Sequence, residues 1–164
     1  MKMAKTRTGV TLLMMALGIT ISGCGKGIGY TKEADELGVS MTAHLKAQSP
    51  VSNVTYFYFY GLDNSPSLWF TVTVKESQIS DTVTRQLYEL ALDDYWRSPA
   101  KIYGIDMRFY SSGNPPLPDR DDSARVVKQY HFYRAESSAV KSDDQIRLEQ
   151  EFGPRPTPPP TPTK

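Results

Sequence analysis

Two neighbouring runs of alternating side chains constrain the fold of this chain more than any other feature. Residues 51–60 and 68–75 are filled with β-branched and aromatic side chains. This composition, with its period-two alternation, predicts two β-strands. The connection between them, residues 61–66, is rich in turn-forming residues and short enough for a hairpin. The two strands are therefore predicted to pair antiparallel.

The same alternation predicts which side of each strand faces the core. In the second strand the even-numbered residues 68–74 are apolar and share one face, opposite Trp69. In the first strand Phe57 and Phe59 share one face and the tyrosines share the other. Because phenol hydroxyls need partners or water, we assign the phenylalanines to the core. The side chains predicted to point away from the core are Tyr56, Tyr58, Tyr60, Trp69 and, from a third strand, Tyr110.

Helical periodicity appears on both sides of this hairpin. Thr31 is a favourable N-cap, and apolar residues then recur at helical spacing, which predicts a helix over residues 32–47. A second helix is predicted after the N-cap Ser80, before Ser98 and Pro99. The remaining predicted elements are a strand over residues 102–110, a possible strand over residues 125–134, and a short helix that begins with a capping box at Ser142 and Gln145 and ends at Phe152.

This order of elements predicts an α+β fold, a two-layer sandwich with the helices on one face of a small, mostly antiparallel sheet. The core of the order is helix-strand-strand-helix-strand. Across residues 31–110 it is similar to the order in BON-type envelope domains. The resemblance is one of element order, so it implies a fold and no function.

The N-terminal segment has the pattern of a secretory signal. Three cations, Lys2, Lys5 and Arg7, precede an apolar run over residues 10–21. The run is shorter than the roughly 20 residues that span a hydrocarbon core. Small residues then lead to Cys24, the only cysteine of the chain. The pattern predicts a cleaved signal peptide rather than a retained transmembrane helix.

The last four residues of this segment, Ile21, Ser22, Gly23 and Cys24, resemble the lipobox of bacterial lipoproteins. The resemblance implies cleavage between Gly23 and Cys24, a diacylglycerol on the Cys24 thiol, and an acyl chain such as palmitate on its amino group. Two or more acyl chains anchor a protein stably, whereas one chain is marginal. The expected location is the extracytoplasmic side of the cell membrane. In a host with two membranes the outer one is favoured, because Gly25 rather than an aspartate follows the cysteine.

These patterns divide the chain into four predicted regions. They are a signal peptide (1–23), a glycine-rich tether (24–30), a single α+β domain (31–152) and a disordered tail rich in proline and threonine (153–164). The tail is either a plain terminus or spacer, or a ligand for a proline-recognising partner, or a threonine-glycosylated segment that threads the cell wall. Charges are balanced, with 19 Lys+Arg against 18 Asp+Glu and no basic stripe. Nucleic acid is therefore not an expected partner.

No motif in the sequence predicts a catalytic or metal site. His44 and His131 lack the spacing of metal-binding histidines. The acidic run at residues 119–122 lacks the glycine and the distal glutamate of a calcium loop. We therefore expect no cofactor other than the covalent acyl anchor on Cys24.

The predicted aromatic face of the sheet carries the main functional hypothesis. An open sheet face normally presents polar or charged side chains, and an exposed aromatic face indicates a partner. We expect a non-enzymatic envelope lipoprotein that binds a protein or a glycan through this face. The alternatives are a cell-wall hydrolase with an acidic or histidine site and a structural spacer without a ligand, and the sequence leaves the oligomeric state open.

Overall fold

A computed structural model describes residues 31–60, 65–117, 122–135 and 140–157. The signal peptide, the lipobox and the tether predicted for residues 1–30 lie outside the described residues, as do residues 158–164 of the predicted tail. Within the described residues, no helix is both long enough and apolar enough to cross a membrane.

The described part of the chain forms the predicted α+β fold, with three α-helices packed on one face of a four-stranded sheet. The helices are α1 (Lys32–Lys46), α2 (Asp81–Arg97) and α3 (Asp143–Phe152). The strands are β1 (Val51–Tyr60), β2 (Pro66–Val74), β3 (Gly104–Ser111) and β4 (Lys128–Tyr133). Their order in the sheet is β1-β2-β3-β4. The outer pairs, β1 with β2 and β3 with β4, are antiparallel, and the central pair is parallel. A parallel pair needs a crossover connection, which α2 supplies.

Each helix begins at the N-cap that the sequence predicts. The hydroxyls of Thr31, Ser80 and Ser142 each accept a hydrogen bond at 3.2 Å from the backbone N–H three residues later. These bonds satisfy donors that the first turn of a helix leaves unpaired. In the predicted capping box, the side chain of Gln145 would accept from the backbone N–H of Ser142. In the structure it accepts a hydrogen bond from the backbone N–H of Ala135 at 2.9 Å. It thereby ties α3 to the segment that follows β4.

The core lies between the helices and one face of the sheet, and β2 and β3 contribute to it as predicted. The even-numbered residues 68–74 of β2 are buried, and so are the odd-numbered residues 105–109 of β3. Helix α1 packs on β1, and α2 packs on β3 and β4. The fully buried residues that α1, α2 and α3 add to the core include Met41, Leu45, Ala91, Leu92, Tyr95 and Leu148.

The prediction for β1 is wrong, because this strand presents the opposite face to the core. Val54 is buried, and Tyr56 and Tyr58 pack against the core. Phe57 and Phe59 are 43% and 41% exposed on the other side of the sheet. The two phenylalanines are therefore not core residues, and the tyrosines of β1 do not belong to the open side.

Tyr56 shows why β1 takes this orientation. Its ring packs so closely on α1 that a Cβ at Gly38 would collide with it, and its centroid lies 5.9 Å from that of Phe70. Its hydroxyl donates to Asp35 Oδ1 on α1 at 2.6 Å. The phenol is thus satisfied at the rim of the core, which removes the cost that argued for keeping tyrosine outside. The close approach of strand and helix requires glycine at position 38.

The chain still contacts the domain beyond the predicted boundary at Phe152. Trp96 Nε1 donates to the carbonyl of Gly153 at 2.9 Å. The guanidinium of Arg155 donates to three backbone carbonyls at the C-terminal end of α2 and in the turn that follows it. The acceptors are Tyr95 at 3.2 Å, Ala100 at 2.8 Å and Ile102 at 3.4 Å. The packed domain therefore extends at least to Arg155.

Candidate functional site

The sheet face opposite the helices is the candidate functional site. Residues directly opposite each other on paired strands point to the same side, so each row across the sheet contributes one side chain per strand. We call this surface the open face. Its three central rows are Phe59, Ser67, Gly104 and Tyr133; Phe57, Trp69, Asp106 and His131; and Thr55, Thr71, Arg108 and Gln129.

Three aromatic rings lie together on the β1 and β2 side of the open face. The ring centroid of Trp69 is 5.4 Å from that of Phe57 and 4.7 Å from that of Phe59. The indole N–H of Trp69 donates to Ser67 Oγ at 3.1 Å, so its polar atom is satisfied within the protein. We call Phe57, Phe59 and Trp69 the aromatic patch. It presents apolar ring surface where an open sheet normally presents polar side chains.

A polar cluster borders the aromatic patch on β3 and β4. Asp106 is 5% exposed, and its two carboxylate oxygens accept from Gln129 Nε2 at 3.1 and 2.9 Å. Arg108 Nε lies 3.8 Å from Asp106 Oδ1, an ion-pair distance too long for a hydrogen bond. The guanidinium of Arg108 lies 5.3 Å from the centre of the Trp69 ring, a cation–π distance. Asp106 thus holds a cation beside the tryptophan.

Tyr133 extends the aromatic surface at the far side of the sheet. Its side chain is 52% exposed, and its ring packs over Gly104, where a Cβ would collide with it. The neighbouring ring of His131, also exposed, lies 6.3 Å away between centroids. Gly104 therefore allows an aromatic ring to lie flat on the sheet at this edge.

Tyr110 belongs to the open face by its register, yet it is 2% exposed, so its predicted exposure is wrong. Its hydroxyl donates to Asp122 Oδ1 at 2.8 Å, and Asp122 Oδ2 accepts from the backbone N–H of Leu117 at 3.0 Å. The loop after β3 therefore closes over this end of the sheet. Asp122, the last residue of the acidic run at residues 119–122, is a buried acceptor that holds the loop in place. Residues 119–121 lie outside the described residues.

Of the five side chains predicted for the partner site, only Trp69 lies in the aromatic patch. Tyr56 and Tyr58 face the helices, and Tyr110 lies under a loop. Tyr60, at the exposed end of β1, lies on the same face of the strand as Tyr56, opposite to the face of the aromatic patch.

Phe57 and Phe59 were assigned to the wrong face because the prediction gave residue type more weight than the position of the aliphatic residue in the strand, Val54. Val54 is the aliphatic residue in the middle of β1, and its alternation places Tyr56 inside and Phe57 outside. Val51 is also buried, which breaks strict alternation, because the register shifts between Val51 and Asn53. Such a bulge changes the parity of a strand at one point. Val54 is the signal that predicts the observed face.

The histidines and a metal site are the remaining candidates that the sequence analysis considered. His44 Nδ1 lies 2.8 Å from Asp94 Oδ2 and so connects α1 to α2 at the protein surface. No group of three or more His, Cys, Asp or Glu side chains within the described ranges is arranged to hold a metal ion.

The buried phenol of Tyr110 predicts a loss of stability in alkali. Burial, followed by the hydrogen bond to Asp122, raises the pKa of Tyr110 to about 12, whereas an unfolded tyrosine titrates near about 10. Between these values the unfolded chain loses the proton and the folded chain keeps it, so stability falls as the pH rises. We expect a lower urea midpoint at pH 11 than at pH 9.

The variant Tyr110→Phe isolates this contribution. Because phenylalanine does not titrate, we expect the fall between pH 9 and pH 11 to be smaller in the variant. A residual fall should remain, since burial also raises the pKa of Tyr88 and Tyr95. An equal fall in wild type and variant would contradict the prediction.

Comparison with known proteins gives this chain no family. No protein-family model matches the sequence, and no curated protein matches it. Among solved structures, this chain matches part of a crystal structure of a fatty acid AMP ligase from Legionella pneumophila. The TM-score is 0.37 and the sequence identity 10%, over 56% of this chain and 16% of that chain. A likeness this weak carries no argument about function.

Proposed function

We propose that this chain is a lipid-anchored protein of the cell envelope that binds a protein partner, without catalysis, through the aromatic patch on its open face. The observation that carries the proposal is the exposure of Phe57 and Phe59 beside Trp69 on a sheet face that the described helices leave uncovered. Large exposed apolar side chains that lie side by side favour an interaction site over ordinary surface.

The chemistry of the open face favours a protein over a glycan. Tryptophan, tyrosine and arginine are the residues that contribute most to binding at protein interfaces, and Trp69, Arg108 and Tyr133 lie on this face. A glycan site needs polar groups that are available to sugar hydroxyls. Here Asp106 is only 5% exposed, and its carboxylate already accepts from Gln129. What the patch offers to a ligand is mainly ring surface.

The N-terminal sequence supports the proposed anchoring. The lipobox-like residues end at Cys24, and the first described helix begins at Lys32. A short glycine-rich stretch would therefore separate the acylated cysteine from the folded domain. We place the protein on the extracytoplasmic side of the membrane, and on the outer membrane if the host has two.

A crosslinking pull-down from membranes tests the binding proposal. We expect a discrete protein to be captured by the wild type and by Ile146→Ala, which removes an exposed apolar side chain from α3. Capture by Trp69→Ala should be about thirtyfold weaker, the effect of losing roughly 2 kcal/mol at a binding hot spot. Circular dichroism of the variant checks that the fold is retained.

Three outcomes would overturn parts of this proposal. The same captured protein with and without Trp69 would exclude the aromatic patch as the binding site. Recovery of cell-wall glycan instead of protein, again dependent on Trp69, would exclude a protein partner. A Cys24→Ser chain that remains with the membrane fraction would exclude the lipid anchor.

A cell-wall hydrolase is the second candidate, and one observation favours it. Asp106 and His131 occupy directly opposite positions on β3 and β4 and so share the open face. A hydrolase would lose activity on cell-wall material when either is replaced by alanine. The binding proposal expects Asp106→Ala to act through the loss of the contacts to Arg108 and Gln129, and His131→Ala to have little effect.

A further inference from the structure

A pocket of about 180 Å³ lies at the end of the sheet where β3 begins and β4 ends. Three segments meet there: the connection from α2 to β3, the residue after β4, and the chain after α3. The backbone N–H of Arg134 donates to the carbonyl of Tyr103 at 2.8 Å, which closes the pocket between β3 and β4. The lining residues are Lys101, Ile102, Tyr103, Arg134 and Arg155.

Three of the five lining residues are cations, and none is an anion. Arg85, Lys128 and Arg147 each form an ion pair with a carboxylate elsewhere in the domain. Lys101, Arg134 and Arg155 form none within the described residues. The pocket therefore carries positive charge that the described part of the chain does not neutralise.

Arg155 is fixed in the wall of this pocket. Its three bonds to backbone carbonyls orient the guanidinium, and the centre of the Tyr95 ring lies 4.3 Å from it. Burial, together with the neighbouring charge of Arg134, lowers the pKa of Arg155 although the Tyr95 phenol opposes the shift. A half-buried cation of this kind is costly unless a counter-charge is near.

Arg134, another lining residue, packs over an aromatic ring. Its guanidinium lies 5.4 Å from the centre of the Tyr103 ring, a cation–π distance. Lys101, which is exposed, also lines the pocket. Two arginines and a lysine thus line a space large enough for a small anion.

We propose that this pocket binds a phosphate group, carried either by a soluble phosphate compound or by the headgroup of an anionic phospholipid. The planar donor pairs of arginine match the oxygens of phosphate, and lysine adds a mobile third cation. The proposal is independent of the aromatic patch, because the pocket lies at the end of the sheet and shares no residue with the open face.

Thermal unfolding of the full chain in uncharged detergent micelles tests the proposal. One arm compares sodium phosphate with sodium chloride at equal ionic strength, and the other compares micelles with and without phosphatidylglycerol. A ligand that binds only the folded state raises the melting temperature. We expect such a rise in the wild type, and an affinity about tenfold lower in Lys101→Gln/Arg134→Gln, which loses two charged contacts.

Two matched variants control for net charge and for the aromatic patch. Lys32→Gln/Lys46→Gln removes two exposed cations from α1, and Trp69→Ala removes the centre of the aromatic patch. Both should respond like the wild type. Arg155 stays unchanged in every variant, because its contacts to backbone carbonyls support the end of α2 and its loss is expected to lower the stability of the domain.

The two arms separate the sources of the phosphate. A rise with sodium phosphate supports a soluble phosphate compound, and a rise with phosphatidylglycerol alone supports a lipid headgroup. No rise in either arm would overturn the proposal. An equal rise in the wild type and in Lys101→Gln/Arg134→Gln would also overturn it, since the response would then not come from this pocket.

Discussion

The variant Tyr56→Ala is expected to lose about 3 kcal/mol of unfolding free energy, the range for removing a packed aromatic ring. Three contacts of Tyr56 would be lost together. Its ring packs on Gly38 of α1 and against Phe70, and its hydroxyl donates to Asp35. The variant would leave a cavity between α1 and the sheet and would remove the hydrogen bond from Tyr56 to the Asp35 carboxylate. The strand and the helix would then be held together by fewer contacts.

The matched variant Phe57→Ala removes an aromatic side chain of similar size from the next position in β1. Because Phe57 is on the open face, we expect a loss below about 1 kcal/mol, typical of surface substitutions. Urea unfolding followed by circular dichroism measures both values. A larger loss for Phe57→Ala than for Tyr56→Ala would mean that β1 presents the opposite face to the core.

This pair of variants also bears on the binding proposal. If Phe57→Ala leaves the domain stable, its effect on partner capture can be assigned to the lost contact rather than to unfolding. Tyr56→Ala, by contrast, is expected to impair capture only as far as it unfolds the domain. A variant that lowers capture without lowering stability therefore marks a residue of the interface.

A chain that ends at Phe152 is expected to be about 3 kcal/mol less stable than a chain that ends at Thr157. The shorter chain loses Arg155, which bonds to three backbone carbonyls, and Gly153, which accepts from Trp96. A hydrogen bond from a charged donor contributes about 1.5 to 3 kcal/mol, and water replaces part of the loss at the surface. Trp96 would retain a buried N–H without its acceptor.

Denaturant unfolding of the two truncated chains beside the full chain tests this expectation. The chain that ends at Thr157 serves as the control, because it keeps every described contact of the C-terminal segment. Arg155→Ala in the full chain should reproduce most of the loss. Equal stability of all four proteins would show that the segment after α3 adds nothing to the domain.

Because the two faces of the sheet differ in burial, we expect different residues to determine stability and the proposed binding. The helices cover one face, so Phe70, Met107 and Phe109 form a dry core. At the end of Tyr110 the other face is covered by the loop that Asp122 holds. The same face carries Phe57, which is 43% exposed. Substitutions on this face are therefore expected to alter binding more than folding.

Local patterns in the sequence determined the elements and their approximate ends. The N-caps Thr31, Ser80 and Ser142 act within one helical turn, so residue type and spacing were enough to locate the helix starts. The alternation in β2 was unambiguous, because its even-numbered residues are aliphatic or aromatic and the opposite face is mostly polar. The prediction of an acyl anchor rests on the sequence pattern that ends at Cys24 alone, without any tertiary contact.

Only the tertiary structure decided which aromatic residues of β1 reach the surface. Aromatic side chains fill both faces of the second half of β1, so its hydrophobic pattern is nearly symmetric there. The choice depends on Asp35, which offers the Tyr56 hydroxyl a partner, and on Gly38, which leaves room for its ring. Both lie far from β1 in the sequence, as Asp122 lies far from Tyr110. A single sequence shows which side chains need a partner, but the partner itself is supplied by the packing of distant segments.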